Sequence, residues 1–82
     1  MLKIEKVRLD SIYVPTERRK TLNAATAQAL SEDILEHGMR IPIMVRFDGK
    51  RHILVEGLHR LEAARLLGET EIAAYLVQAR KH

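Results

Sequence analysis

Cysteine and tryptophan are absent from the sequence, and Tyr13, Phe47 and Tyr75 are its only aromatic residues. Without cysteine there is no disulfide framework, no thiolate zinc site and no cysteine nucleophile, which fits a reducing compartment. Three scattered aromatics argue against a stacking platform for single-stranded nucleic acid, which needs several in a cluster. No apolar run approaches the roughly 20 residues that span a bilayer. The first residues, Met1-Leu2-Lys3-Ile4-Glu5-Lys6, alternate apolar with charged groups where a signal peptide would be continuously apolar. The expectation is a cytoplasmic protein with no membrane partner. The four histidines, His37, His52, His59 and His82, lack the i, i+4 spacing of a helical zinc pair, so no metal site is expected from them.

What is present suits one domain over residues 1–82 with one modest core. Net charge is +3 and the isoelectric point is near 9.6. This mild excess is compatible with a polyanionic partner and equally with simple solubility. A core this small gains from added burial, so a homodimer is a reasonable expectation.

Apolar periodicity divides the chain into five pieces. In residues 3–13, Val7, Leu9 and Ser11 alternate with Arg8 and Asp10, the pattern of a half-buried strand, which Pro15 ends. Residues 16–22 are polar and read as a loop. In residues 23–37, Ala27, Leu30 and Ile34, with Leu35 beside them, oppose Gln28, Glu32, Asp33 and Glu36. That is an amphipathic helix, with Asn23 or Thr21 as its N-cap and Gly38 closing it. In residues 42–56, two alternating runs flank Asp48-Gly49, a hairpin signal. From Gly57 onward, Leu58, Leu61 and Leu67 give a short helix stopped by Gly68, and residues 72–77 form an apolar final strand expected to be buried on both faces. The fold class is α+β: a small mixed sheet of about four strands with two main helices. A right-handed crossover would set the last strand parallel to the one ending at Glu56.

The chemistry concentrates at Glu56-Gly57-Leu58-His59-Arg60. A strand, a glycine and a helix start make an anion site, because the first helical N–H groups lack internal partners and lie at the positive end of the dipole. Glycine admits a ligand close to the backbone. Two cationic side chains in the first turn oppose the dipole by about 0.3–1 kcal/mol each, which a bound anion would offset. The alternative is structural: Arg60 pairs with Glu56 or Glu62, and His59 fills a polar pocket. Arg18-Arg19-Lys20 and the group Arg46, Lys50 and Arg51 are either solvated surface or phosphate contacts. A basic face of this kind positions DNA without reading its sequence.

Ile12-Tyr13-Val14-Pro15, Gly38-Met39-Arg40-Ile41-Pro42-Ile43-Met44-Val45 and the stretch from Leu54 to Ala64 with its Gly-x-His-Arg-x-x-Ala-Ala core resemble the N-terminal domain of ParB-type partition proteins. That fold group includes sulfiredoxins and free-serine kinases. The resemblance runs from Val7 to Val77. It implies a ParB/sulfiredoxin-like fold and a nucleoside triphosphate ligand, CTP or ATP, with Mg2+. By position, Gly57, Leu58, His59 and Arg60 would hold phosphate, and Gly38, Pro42 and Ile43 would belong to the side of the pocket that takes the base. Arg18 and Arg19 match a loop that supplies a phosphate-contacting arginine.

Departures from the pattern narrow the activity. Leu58 stands where sulfiredoxins carry their catalytic cysteine, which excludes sulfiredoxin chemistry. No Glu-Asn-x-x-Arg segment or helix-turn-helix domain follows in the 82 residues, which weighs against CTP-gated clamp closure and sequence-specific DNA reading. Glu17 stands near the position of the kinases' acidic base, and Glu56 takes the place of an acidic residue before their Gly-x-His-Arg. The first reading is a nucleotide- or phosphate-binding ParB-like module in DNA partition, plasmid maintenance or regulation. The alternatives are a ParB-like DNA nuclease or small-molecule kinase using Glu56 and Glu17, and a non-catalytic adaptor for DNA or a protein.

Overall fold

A computed structural model describes residues 3–39 and 41–77. Five strands form one mixed sheet: β1 (Lys3–Arg8), β2 (Ile12–Tyr13), β3 (Ile43–Phe47), β4 (His52–Glu56) and β5 (Glu71–Val77). Their order is β1-β5-β3-β4-β2. Three helices accompany them: a single turn, α1 (Thr16–Arg19), and two longer helices, α2 (Ala24–His37) and α3 (Leu58–Leu66).

The expected first strand is two strands at opposite edges of the sheet. β1 pairs antiparallel with β5 and β2 pairs parallel with β4. A 3-10 turn, Leu9–Ser11, connects them. Four residue steps from Arg8 to Ile12 reach at most about 14 Å, whereas a flat five-stranded sheet is about 19 Å wide. The sheet therefore curls until its edges converge at this turn. Leu9 and Ile12 both belong to the core across the junction, while Ser11, inward by alternation, is exposed; the period-2 pattern ends at the turn.

The final strand also differs from expectation. β5 lies beside β3, parallel to it, and not beside β4. Its inner residues Ile72 and Ala74 are buried, while Ala73, Tyr75 and Val77 are only half-buried. Thr16–Arg19 forms a helical turn where a loop was expected. Pro15 starts it, and its carbonyl accepts from the N–H groups of Arg18 and Arg19 at 2.9 and 3.1 Å.

One core joins the inner sheet face to α3. Val7, Ile72, Ala74, Ile43, Val45 and Leu54 pack with Leu58, Leu61 and Ala64. Helix α2 lies against α3 rather than on the sheet. Ala27 and Ser31 are its buried residues, small side chains that suit a close approach of the two helices. Leu35, grouped with the apolar face by its hydropathy, is 77% exposed. Asn23 caps α2 as expected: its Oδ1 accepts from the Thr26 N–H at 3.0 Å. Four residues link β3 to β4, with Asp48 Oδ1 accepting from the N–H groups of Lys50 and Arg51 at 2.9 and 3.0 Å.

Candidate functional site

The turn after β4 is built on β3. Gly57 caps α3 with φ 105° and ψ 32°, a left-handed conformation that glycine adopts without strain. A Cβ at Gly57 would lie 2.7 Å from Ile43 Cγ2 and 3.2 Å from its Cα. The glycine is thus required by strand packing as well as by backbone shape, before any ligand is considered. Ile43 is 1% exposed and supports the turn from beneath.

The carbonyl of Gly57 accepts from the Leu61 N–H at 2.9 Å, closing the first turn of α3. Ahead of it, the N–H groups of Leu58, His59 and Arg60 meet no acceptor among the described residues, and no acidic residue stands in that turn. The positive end of the α3 dipole is therefore uncompensated.

His59 is tied to the other helix: its Nε2 accepts from the Asn23 N–H at 3.0 Å. An accepting Nε2 carries no proton, so in this arrangement the ring proton sits on Nδ1. The bond pins the start of α3 to the N-cap of α2. Any contact from His59 to phosphate falls to Nδ1–H.

Arg60 is half-buried and makes no ion pair among the described residues. Glu62, its suggested partner, instead faces Arg65 at 3.9 Å. Arg60 shares a depression of about 180 Å3 with Gly38, Met39, Ile41 and Asp33. The Asp33 carboxylate is engaged by His37 Nδ1 at 3.1 Å. Gly38 leaves α2 with φ 80° and ψ 166°, a positive-φ conformation other than the left-handed helical one, and so turns the chain past Arg60. Pro42 is half-buried directly before β3.

The α1 residues lie elsewhere around α3. Arg19 donates from Nε to the Val14 carbonyl at 3.3 Å. It lines a cleft of about 220 Å3 with Leu22, Leu58, Glu62 and Arg65. Arg18 is exposed. Glu17 is exposed and pairs with Lys20 at 3.6 Å. Glu56 is exposed at the end of β4. Among the described residues, no three Asp, Glu or His side chains converge as a metal site would require. The structure thus brings Arg60 together with Gly38, places Arg19 beside Leu58, ties His59 to Asn23, and leaves Glu17 on the surface. The residue that sequence reasoning missed is Asn23 as the partner of His59. They stand 36 positions apart, and no local pattern links them.

The chain matches the ParB N-terminal domain family over residues 1–82. Among curated protein sequences, none matches it. Among solved structures it is similar to sulfiredoxin from Arabidopsis thaliana, at TM-score 0.83 and 25% identity, covering 94% of this chain and 86% of that one. It is also similar to a C-terminally truncated chromosome-partitioning protein ParB from Caulobacter crescentus complexed with CTP-gamma-S. There the TM-score is 0.81 and the identity 22%, over 96% of this chain and 46% of that one. A free serine kinase in complex with AMP shares the fold at TM-score 0.76 and 17% identity, over 90% of this chain and 30% of the kinase. This chain therefore spans less than half of the ParB and kinase structures. A family match along its whole length, on a curled five-stranded sheet with a glycine-capped helix after β4, means that the chain belongs to the ParB N-terminal domain family.

Proposed function

We propose that this chain is a nucleotide-binding module that holds the phosphates of a nucleoside triphosphate at the Gly57–Arg60 turn. The observation that carries the reading is the coincidence of an uncompensated α3 N-terminus with Arg60, which lacks an ion pair among the described residues. Backbone N–H groups and a guanidinium suit phosphate oxygens in both charge and geometry. The solved relatives with CTP-gamma-S and AMP support it as neighbours in fold.

In this reading Arg60 and the N–H groups of Leu58, His59 and Arg60 take the phosphates. Gly38, Met39 and Ile41 border the base. Ile43 acts from below by fixing Gly57, and Pro42 sets the entry into β3. Arg18 and Arg19 are reserve cations on α1, with Arg19 already anchored to Val14. Magnesium on a nucleotide needs only one or two protein carboxylates, and Glu56 beside the turn is the one placed to supply a ligand.

Binding without turnover suits these residues better than a nuclease or a kinase. Glu17 is paired with Lys20 at the surface, and no carboxylate cluster is present among the described residues to hold two metals for phosphodiester cleavage. The corresponding setting is regulation or DNA maintenance, with the nucleotide as the signal. Thermal-shift measurements with CTP and ATP, each with and without magnesium, test this. A ligand at ten times its Kd stabilises the fold by about 1.4 kcal/mol, a rise of several degrees for a domain of this size. Glu56→Gln should remove the magnesium-dependent part of the rise and leave the rest. A magnesium effect that persists undiminished in Glu56→Gln contradicts the assignment of that residue.

A further inference from the structure

The two edges of the sheet are unlike. β2 is two residues long, and so short an edge offers little to a new strand. β1 is six residues long and has β5 as its one neighbour. Its register with β5 is regular from Lys3 to Arg8, so neither a bulge nor a proline interrupts it. Half of its backbone N–H and C=O groups therefore point away from the sheet, ready to pair. Every residue of β1 except Val7 is exposed.

The side chains of β1 decide what can pair there. Lysine alone on an edge strand would repel a second copy, but here Lys3 and Glu5 have opposite signs. They stand two positions apart on one face, and neither has an ion pair among the described residues. Between them Ile4 is 56% exposed. It lies opposite Tyr75, which lies beside Met44, so an apolar row on the outer face ends at the free edge.

We infer that β1 pairs antiparallel with β1 of a second copy of this chain, about a two-fold axis through Ile4. Each Lys3 then stands opposite Glu5 of the other copy, giving two opposite-charge pairs. Ile4 meets its own copy, and the Met44–Tyr75–Ile4 row continues into the same row of the second chain. Other registers are worse. An axis through Glu5 or Lys6 sets that residue against itself, and an axis through Val7 sets Lys6 against Arg8; like charges directly opposite are destabilising. An axis between two residues turns one sheet over, so that the helical side of one copy continues the bare side of the other. The Ile4 register keeps both helical sides together, and both Gly57–Arg60 turns lie on one side of the joined sheet. Three residue pairs make a small interface, so the dimer is weak and depends on concentration.

Sedimentation equilibrium of the full chain from about 10 μM to about 1 mM tests this. The expected mass rises with concentration toward twice the 9.4 kDa of one chain. Glu5→Lys and Lys3→Glu each turn two attractive pairs repulsive and should weaken association about tenfold or more. The double variant Lys3→Glu, Glu5→Lys restores opposite charges across the axis and should recover it. Ile4→Lys should abolish it, while Arg60→Ala should leave it unchanged, which separates this contact from nucleotide binding. Melting curves establish that each variant is folded. A mass that stays at one chain at about 1 mM, association unaltered in Glu5→Lys, or no recovery in the folded double variant would each overturn the inference.

Discussion

Gly57 meets two constraints at once, a positive φ and a Cβ position already filled by Ile43. Gly57→Ala should destabilise the fold by about 2 kcal/mol or more, from backbone strain and overpacking together, as read from urea denaturation. Gly38→Ala carries strain alone, since nothing lies within 4 Å of its Cβ position, and should cost less. His59 has a structural duty that its charge concealed. Replacing it with alanine removes the acceptor for the Asn23 N–H and should lower stability by about 1 kcal/mol, even without nucleotide. Asp48 titrates below the ordinary carboxylate value of 3.8, because the N–H groups of Arg51 and Lys50 favour its ionised form. Its contribution is full above that value and is lost as pH falls through the lower folded value. Asp48→Asn should therefore flatten the acid limb of melting temperature against pH below about 4.

At the scale of elements, α2 depends on its cap. Asn23→Ala should cost about 1 kcal/mol, and more if loss of the cap also frees the His59 contact; a double-mutant cycle with His59→Ala measures that coupling. α2, α3 and the β3–β4 hairpin were legible in the sequence because each has a local signature: Asn23 before an apolar period, Gly57 before Leu58 and Leu61, and Asp48-Gly49 between alternating runs. The split between β1 and β2 was not legible, because Val7, Leu9 and Ser11 alternate with Arg8 and Asp10 as one strand would, although Ser11 is exposed and Ile12 is the next core residue. The neighbours of β5 were equally hidden, since an apolar run reports burial and not which strand covers it. At the site, the Gly57–Arg60 turn could be read from local spacing, and its proximity to Gly38 was carried by the resemblance alone. The Asn23–His59 bond and the shared outer face of Tyr13 and Tyr75 arise only from long-range register.

For the whole molecule, the architecture separates two surfaces. α3 is set on the inner face by Leu58, Leu61 and Ala64, and Arg60 in its first turn lines the depression bounded by Gly38 and Ile41. The outer face of the sheet displays Tyr13, Met44, Arg46 and Tyr75, each half-buried. The members of this fold named above span enzymes and partition proteins, so the fold by itself does not fix the activity; the charge and geometry around Arg60 must do so. Among the described residues no helix is long and apolar enough to cross a membrane. The most direct test of the central claim is calorimetric titration of CTP and ATP, with magnesium, into the wild-type chain and into Arg60→Ala. Saturable binding of at least one nucleotide in the wild type, weakened tenfold or more in a folded Arg60→Ala, is the predicted result. Absence of binding for any nucleotide at millimolar concentration, or equal affinity in the two proteins, would contradict it.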